Sequence, residues 1–157
     1  CALVTEHPTV VVVAVDSSSE ALSLATENRA SLGPERGRLH LLGTKWYAGL
    51  GPGIDGKVAL IVSNPPYLSE GEWEAAPPVV RDWDPYGALV GGPLGTEAIE
   101  AVIAGAPRML APGGSLILEI GASQREAVVE LGRGHGAASV AVERVCADRD
   151  RVAVMQW

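Results

Sequence analysis

Val10-Val11-Val12-Val13-Ala14-Val15-Asp16-Ser17-Ser18-Ser19-Glu20 is the stretch that decides the class of fold. Its unbroken apolar run, β-branched except for Ala14, has the pattern of a parallel strand buried on both faces. The run stops at Asp16, and Ser17 to Glu20 has the Ser-x-x-Glu spacing of a capping box, so a helix follows the strand at once. Ala21, Leu22, Leu24, Ala25 and Leu32 mark that helix, and Gly33-Pro34 closes it. A second strand over Leu39 to Leu42 completes a βαβ unit.

The alternation continues outward from there. Val58 to Val62 reads as a strand, followed by a stretch rich in Pro, Gly and Trp from Leu68 to Leu94, long enough to be a lid or binding loop. Thr96 starts a helix with Ile99, Val102, Ile103, Ala106 and Leu110 on one face, and Pro107 is expected to kink it or loosen its last turn. Ala111 to Gly114 reads as a tight turn into a strand over Ser115 to Ile120. Ser123 to Glu126 repeats the capping-box spacing before Val128, Val129 and Leu131, and Gly132, Gly134 and Gly136 end that helix. Ser139 to Val145 and Arg151 to Gln156 are strands too close in sequence for a crossover helix, so they should be antiparallel neighbours. The expectation is an α/β fold, Rossmann-like, with a mostly parallel sheet and an antiparallel C-terminal hairpin.

Composition bounds the function. The chain has 157 residues, 47% of them hydrophobic, which fits one domain over residues 1–157. A net charge of −7 supplies no general field for a polyanion and disfavours a nucleic-acid partner. Cys1 and Cys146 read as free thiols, and His7, His40 and His135 lack metal-ligand spacing, so no metal is expected. With no apolar run of ~20 residues and no charged-then-apolar leader, the chain reads as soluble and cytoplasmic, with no membrane partner.

Ser63 is followed by Asn64-Pro65-Pro66-Tyr67, a tetrad suited to presenting a planar nitrogen to an electrophile. Proline has no backbone donor, so the Asn64 side chain and the Pro65 carbonyl can both accept from one NH2 group, while Tyr67 offers a flat face. An amide or aniline-type nitrogen is a poor nucleophile because its lone pair is delocalised, so positioning supplies most of the catalysis. The alternative for these residues is a proline-rich turn after a strand.

A strand ending in Asp16, the Asn64 to Tyr67 tetrad, Pro112-Gly113-Gly114 before Leu118-Glu119-Ile120-Gly121, and Asp148-Arg149-Asp150-Arg151-Val152 together resemble the HemK-type protein-(glutamine-N5) methyltransferases of release factors. Arg81-Asp82-Trp83-Asp84-Pro85, Ala88 to Gly92 and Gly95 resemble the family segment that follows its tetrad. The resemblance implies a class I S-adenosylmethionine-dependent fold with seven strands, six of them found here. The missing one would be the first, with its glycine-rich cofactor loop, before Cys1. A catalytic-domain fragment is therefore expected, weak in binding S-adenosyl-L-methionine by itself and with two inner sheet edges left unpaired.

The resemblance further implies Asn64, Pro65, Pro66 and Tyr67 as the catalytic residues and Asp16, Trp46 and Asn64 as cofactor-binding. Asp16 would accept from ribose hydroxyls, or serve as an ordinary cap residue. Trp46 would lie against the adenine, or pack in a core. Lys45 stands where the family commonly has an acid, and an ammonium cannot accept from the adenine amino group. Glu119, near the end of a strand where such sheets hold ligands, reads as a solvent-facing carboxylate with shaping the site as the alternative, and Asp84-Pro85 as a turn with a surface acid with lining the substrate crevice as the alternative. Trp73 and Trp83 read as lid or satellite core, and His40 and His135 as structural or surface residues.

The implied partner is a protein substrate, release-factor-like, with a glutamine-displaying loop. Two other functions keep the same fold. One is adenine-N6 methylation of DNA or RNA on a flipped base, and the other is a non-catalytic remnant or binding module with an incomplete cofactor site.

Overall fold

Residues 1–145 and 148–157 are described in a computed structural model. Cys146 lies outside them, and Cys1 is an exposed free thiol. The described residues form two compact units, Cys1–Gly51 and Pro52–Trp157.

In the first unit, α1 (Ala2–Glu6) leads into β1 (Val12–Asp16), then α2 (Ser19–Ala30), a 3₁₀ turn and β2 (Leu39–Gly43). β1 and β2 pair in parallel, from Val12 opposite Leu39 to Asp16 opposite Gly43. This is the βαβ unit expected. A helix leaves its last carbonyls without partners, and here Arg38 reaches back to three carbonyls at and beyond α1, those of Val4, His7 and Val10 (2.7, 2.9 and 2.9 Å).

Two local expectations change. Ser18, not Ser17, is the N-cap of α2, its Oγ accepting from the Ala21 N–H at 3.1 Å. The Asp16 carboxylate takes the Ser18 N–H at 2.8 Å, which carries the chain one residue further before the helix begins. Nor is β1 buried on both faces: Val13 and Val15 are exposed.

The second unit has a four-stranded sheet in the order β3 (Val58–Ser63), β6 (Leu110–Glu119), β8 (Arg149–Gln156), β7 (Ser139–Val145). β3 and β6 are parallel, and β8 runs antiparallel to both β6 and β7, the hairpin expected from the short connection. Between β3 and β6 the chain forms β4 (Leu68–Ser69), α3 (Glu70–Glu74), α4 (Pro78–Trp83), α5 (Tyr86–Leu89), β5 (Val90–Gly92) and α6 (Glu97–Met109), and α7 (Arg125–Gly134) follows β6.

The core comes from period matching. α6 buries Ala98, Ile99, Val102, Ile103, Ala106 and Met109 along one helical stripe. β6 turns Leu116 and Leu118 to the same side, opposite Met155 and Ala153 of β8, all four fully buried. Each such Leu, Ile or Met contributes about 1.5–3 kcal/mol relative to exposure. α6 continues past Pro107 to Met109, and Leu110 belongs to β6 rather than to the helix face. The expected turn at Ala111 to Gly114 is an irregularity inside β6, where the register against β3 shifts and Gly113 adopts φ 77°.

Leu68 to Leu94 is not an open loop. Leu68 pairs with Val90 and Ser69 with Gly92 in a two-stranded parallel bridge that closes three short helices into one excursion. Ser69 and Glu72 form a full capping box on α3. Trp73 packs edge-on against Tyr86 at 5.3 Å, whereas Trp83 is 82% exposed.

Candidate active site around the Asn64 to Tyr67 tetrad

The tetrad leaves the C-terminal end of β3, the end where parallel α/β sheets hold their ligands. Asn64 is exposed, Pro65 is fully buried, and Pro66 and Tyr67 are half-buried. The amide that can grip a ligand therefore faces outward from an anchored support.

Glycines make that anchoring possible. A Cβ on Gly91 would stand 2.5 Å from the Pro66 carbonyl oxygen, and one on Gly95 would stand 2.6 Å from that of Tyr67 and 2.8 Å from the Ser69 nitrogen. Gly95 also has φ 79°, in the left-handed region that glycine enters without steric cost. The Val90-Gly91-Gly92 and Gly95 pattern thus corresponds to backbone lying directly against the tetrad.

Gln124 is the buried polar residue of the described core. Its Nε2 donates to the carbonyls of Tyr67 (2.8 Å) and Gly95 (3.2 Å), and its Oε1 accepts from the Gly121 N–H (2.8 Å). This use of Gln124 displaces the second capping box expected at Ser123 to Glu126: Gln124 is itself the N-cap of α7 and makes no side-chain cap bond.

The other end of Tyr67 is held as well. Its hydroxyl donates to Glu119 Oε1 at 3.3 Å and accepts from Arg151 Nη1 at 3.1 Å, and the Arg151 guanidinium lies 5.6 Å from the ring centroid. Glu119 is accordingly a partner of the tetrad rather than a purely solvent-facing acid. Asp150, next to Arg151, takes Arg125 at 2.7 Å and Arg144 at 3.3 Å. Neighbouring residues of β8 thus tie it to α7 and to the tetrad.

Glu97 opens α6, with its carboxylate accepting from the Leu94 N–H at 3.0 Å. That backbone donor, joined by those of Glu97, Thr96 and Gly95, holds its carboxyl below the usual glutamate range. A cleft of about 430 Å³ between α6 and α7, lined by Thr96, Glu100, Glu130 and His135 among others, includes no tetrad residue.

In the first unit, Asp16 and Trp46 lie at the same end of the β1–β2 pair. Asp16 is exposed at the end of β1, and the Thr44 N–H extends the pairing to the Asp16 carbonyl at 2.9 Å. Trp46 is half-buried with φ 51°, an uncommon conformation for a bulky side chain and one found at ligand sites. Lys45 is exposed, and burial pushes the Tyr47 phenol up to about 12.

Gln124 and Arg151 are the tetrad partners that residue-type reasoning missed, whereas Glu119 is marked by its place at a strand end. Arg151 lies within the Asp148 to Val152 segment, the one available signal. Nothing in local pattern marks Gln124 as buried.

Parallel pairing, helices between strands and a terminal antiparallel strand define this as the class I S-adenosylmethionine-dependent methyltransferase fold. Solved structures share it: a methyltransferase from Pyrococcus furiosus has a TM-score of 0.60 at 18% identity, covering 93% of this chain and 61% of that one. The E. cuniculi Mtq2–Trm112 complex, described as responsible for methylation of the eRF1 translation termination factor, matches with a TM-score of 0.53 at 15% identity over 98% of this chain and 90% of that one. No family model matches the chain.

Curated relatives narrow the class. The chain is 43% identical over 150 residues to a release factor glutamine methyltransferase of Cereibacter sphaeroides, covering 96% of this chain and 52% of the relative. It is 38% identical to that of Caulobacter vibrioides (96% and 51%) and 35% identical to that of Yersinia pestis (99% and 54%). The chain is thus similar to part of the release factor glutamine methyltransferases, as its motifs imply. The chain spans about half the length of the curated relatives it matches.

Proposed function

We propose that the protein transfers a methyl group from S-adenosyl-L-methionine to the side-chain amide nitrogen of a glutamine in a protein, a release-factor-like substrate with a glutamine-displaying loop. The observation that carries this is the tetrad: an exposed Asn64 amide on a buried Pro65, at the ligand-binding end of β3. The relatives support the choice of glutamine over adenine, and a chain charge of −7 supports a protein over nucleic acid. No helix of the described residues is long and apolar enough to cross a membrane. We place the reaction in the cytoplasm, with translation factors.

S-adenosylmethionine supplies an electrophilic methyl group. In the first unit the Asp16 carboxylate would accept from ribose hydroxyls, and Trp46, at the same end of the β1–β2 pair, would give the adenine a flat neighbour. Around the reacting nitrogen, the Asn64 Oδ1 and the Pro65 carbonyl would hold the NH2 group by accepting from its two hydrogens. Pro66 keeps the turn rigid, and the Tyr67 ring packs on the amide plane.

Asn64→Ala in the full-length protein should fold normally and lose about 10²-fold or more in turnover, since positioning at the reacting atom is removed. Tritiated cofactor should label a release factor and neither DNA nor RNA. Unchanged turnover in the variant refutes the mechanism, and label in nucleic acid alone moves the assignment to adenine.

A further inference from the structure

We infer that Gln124 is a positioning residue for methyl transfer, acting through the backbone of Tyr67. The inference rests on the tetrad being the amide-methylating site. The hydrogen bonds of Gln124 go to backbone and not to a tetrad side chain. Its carboxamide instead joins three separate stretches of backbone: the end of the tetrad at Tyr67, the loop before α6 at Gly95, and the turn after β6 at Gly121.

The chemistry of the carboxamide suits the task. One end must donate twice to carbonyls and the other must accept from an N–H, and only Asn and Gln carry both on one rigid plane. Asn is shorter by a methylene and cannot span the same gap. A Glu of the same length retains the acceptor for Gly121 but sets a carboxylate against two carbonyl oxygens. Ala leaves the Tyr67 and Gly95 carbonyls and the Gly121 N–H without this partner. In each case the Tyr67 peptide is released. With Tyr67 also tied through its hydroxyl to Glu119 and Arg151, freeing the backbone end lets the ring plane tilt, and Pro65 and Asn64 shift with it.

The experiment compares Gln124→Ala with Gly132→Ala in the full-length protein. Gly132 lies in α7, away from the tetrad, where an added Cβ would stand 2.8 Å from Val140 Cγ2 and 3.0 Å from Met155 Sδ, so it reports destabilisation alone. With the folded state verified by circular dichroism at the assay temperature, Gln124→Ala should lower kcat at least tenfold and leave the KM for S-adenosylmethionine within twofold. Gly132→Ala should keep kcat. Hydrogen exchange should rise in peptides covering residues 64–69 and 91–95 for Gln124→Ala only.

A kcat loss in Gln124→Ala no greater than in Gly132→Ala overturns the positioning role. So does unchanged exchange at residues 64–69. A wild-type protein inactive on release factors refutes the proposed substrate instead, and exchange still decides whether Gln124 holds the tetrad. A variant too unstable to assay is replaced by Gln124→Glu, for which the same kcat and exchange outcomes apply.

Discussion

Gly95→Ala should damage the site through the backbone alone. The substitution adds one methyl group, yet its Cβ would stand 2.6 Å from the Tyr67 carbonyl oxygen, 2.8 Å from the Ser69 nitrogen and 2.9 Å from the Leu68 carbonyl carbon. All three are backbone atoms of the segment that continues the tetrad, so no flexible side chain can swing away. Overpacking of this kind costs about 1–3 kcal/mol. The left-handed backbone of Gly95, φ 79°, adds about 1–2 kcal/mol for a residue with a Cβ. The sum, about 2–5 kcal/mol, is a large share of a domain's net stability of roughly 5–15 kcal/mol. At about 4–8 °C per kcal/mol for a unit of this size, the melting temperature should fall by at least about 8 °C. Gly71→Ala is the control, because nothing lies within 4 Å of a Cβ there and the residue sits inside α3. It should be neutral or stabilising by up to about 1 kcal/mol. Thermal and urea unfolding of both variants decide the matter, and a Gly95→Ala shift no larger than that of Gly71→Ala refutes the close approach of this loop to the tetrad.

Glu97 has its carboxyl held low by the Leu94 N–H and its neighbours, so it stabilises the fold above the ordinary glutamate range and loses that contribution as pH falls through its folded value. Glu97→Gln should therefore show a shallower fall of melting temperature in acid than wild type, and identical slopes would contradict the assignment. The Tyr47 phenol, raised by burial to about 12, favours the folded state only below the ordinary tyrosine range and loses that advantage as pH rises toward its folded value. Tyr47→Phe should flatten the alkaline loss of stability, followed by circular dichroism against pH, and an unaltered alkaline limb would show that Tyr47 is not buried in solution.

Several features were legible in sequence because short-range physics sets them. A β-branched run ending in an acid, a helix stripe over Ile99, Val102, Ile103 and Ala106, and a connection too short for a crossover each restrict the chain to one local structure. The class of fold and the position of the tetrad at a strand end follow from such signals. Where signals compete within a few residues, boundaries slip. Two serines contend for the cap of α2, and the Asp16 side chain decides between them by taking the Ser18 N–H.

What the sequence could not determine is which distant groups meet. Tyr67 and Arg151 are 84 residues apart, and Tyr67 and Gln124 are 57 apart, yet both pairs form hydrogen bonds because β3, β6 and β8 lie side by side in one sheet. No periodicity encodes such a pairing. Burial likewise depends on what covers a strand: Val13 and Val15 are as apolar as any core residue, yet both are exposed. The sequence by itself determined the tetrad's chemistry, since Asn, Pro and Tyr carry their donors, acceptors and rigidity wherever they stand. Only the tertiary structure decided that Gln124, Glu119 and Arg151 hold that tetrad in place, because a hydrogen bond depends on distance in space rather than along the chain.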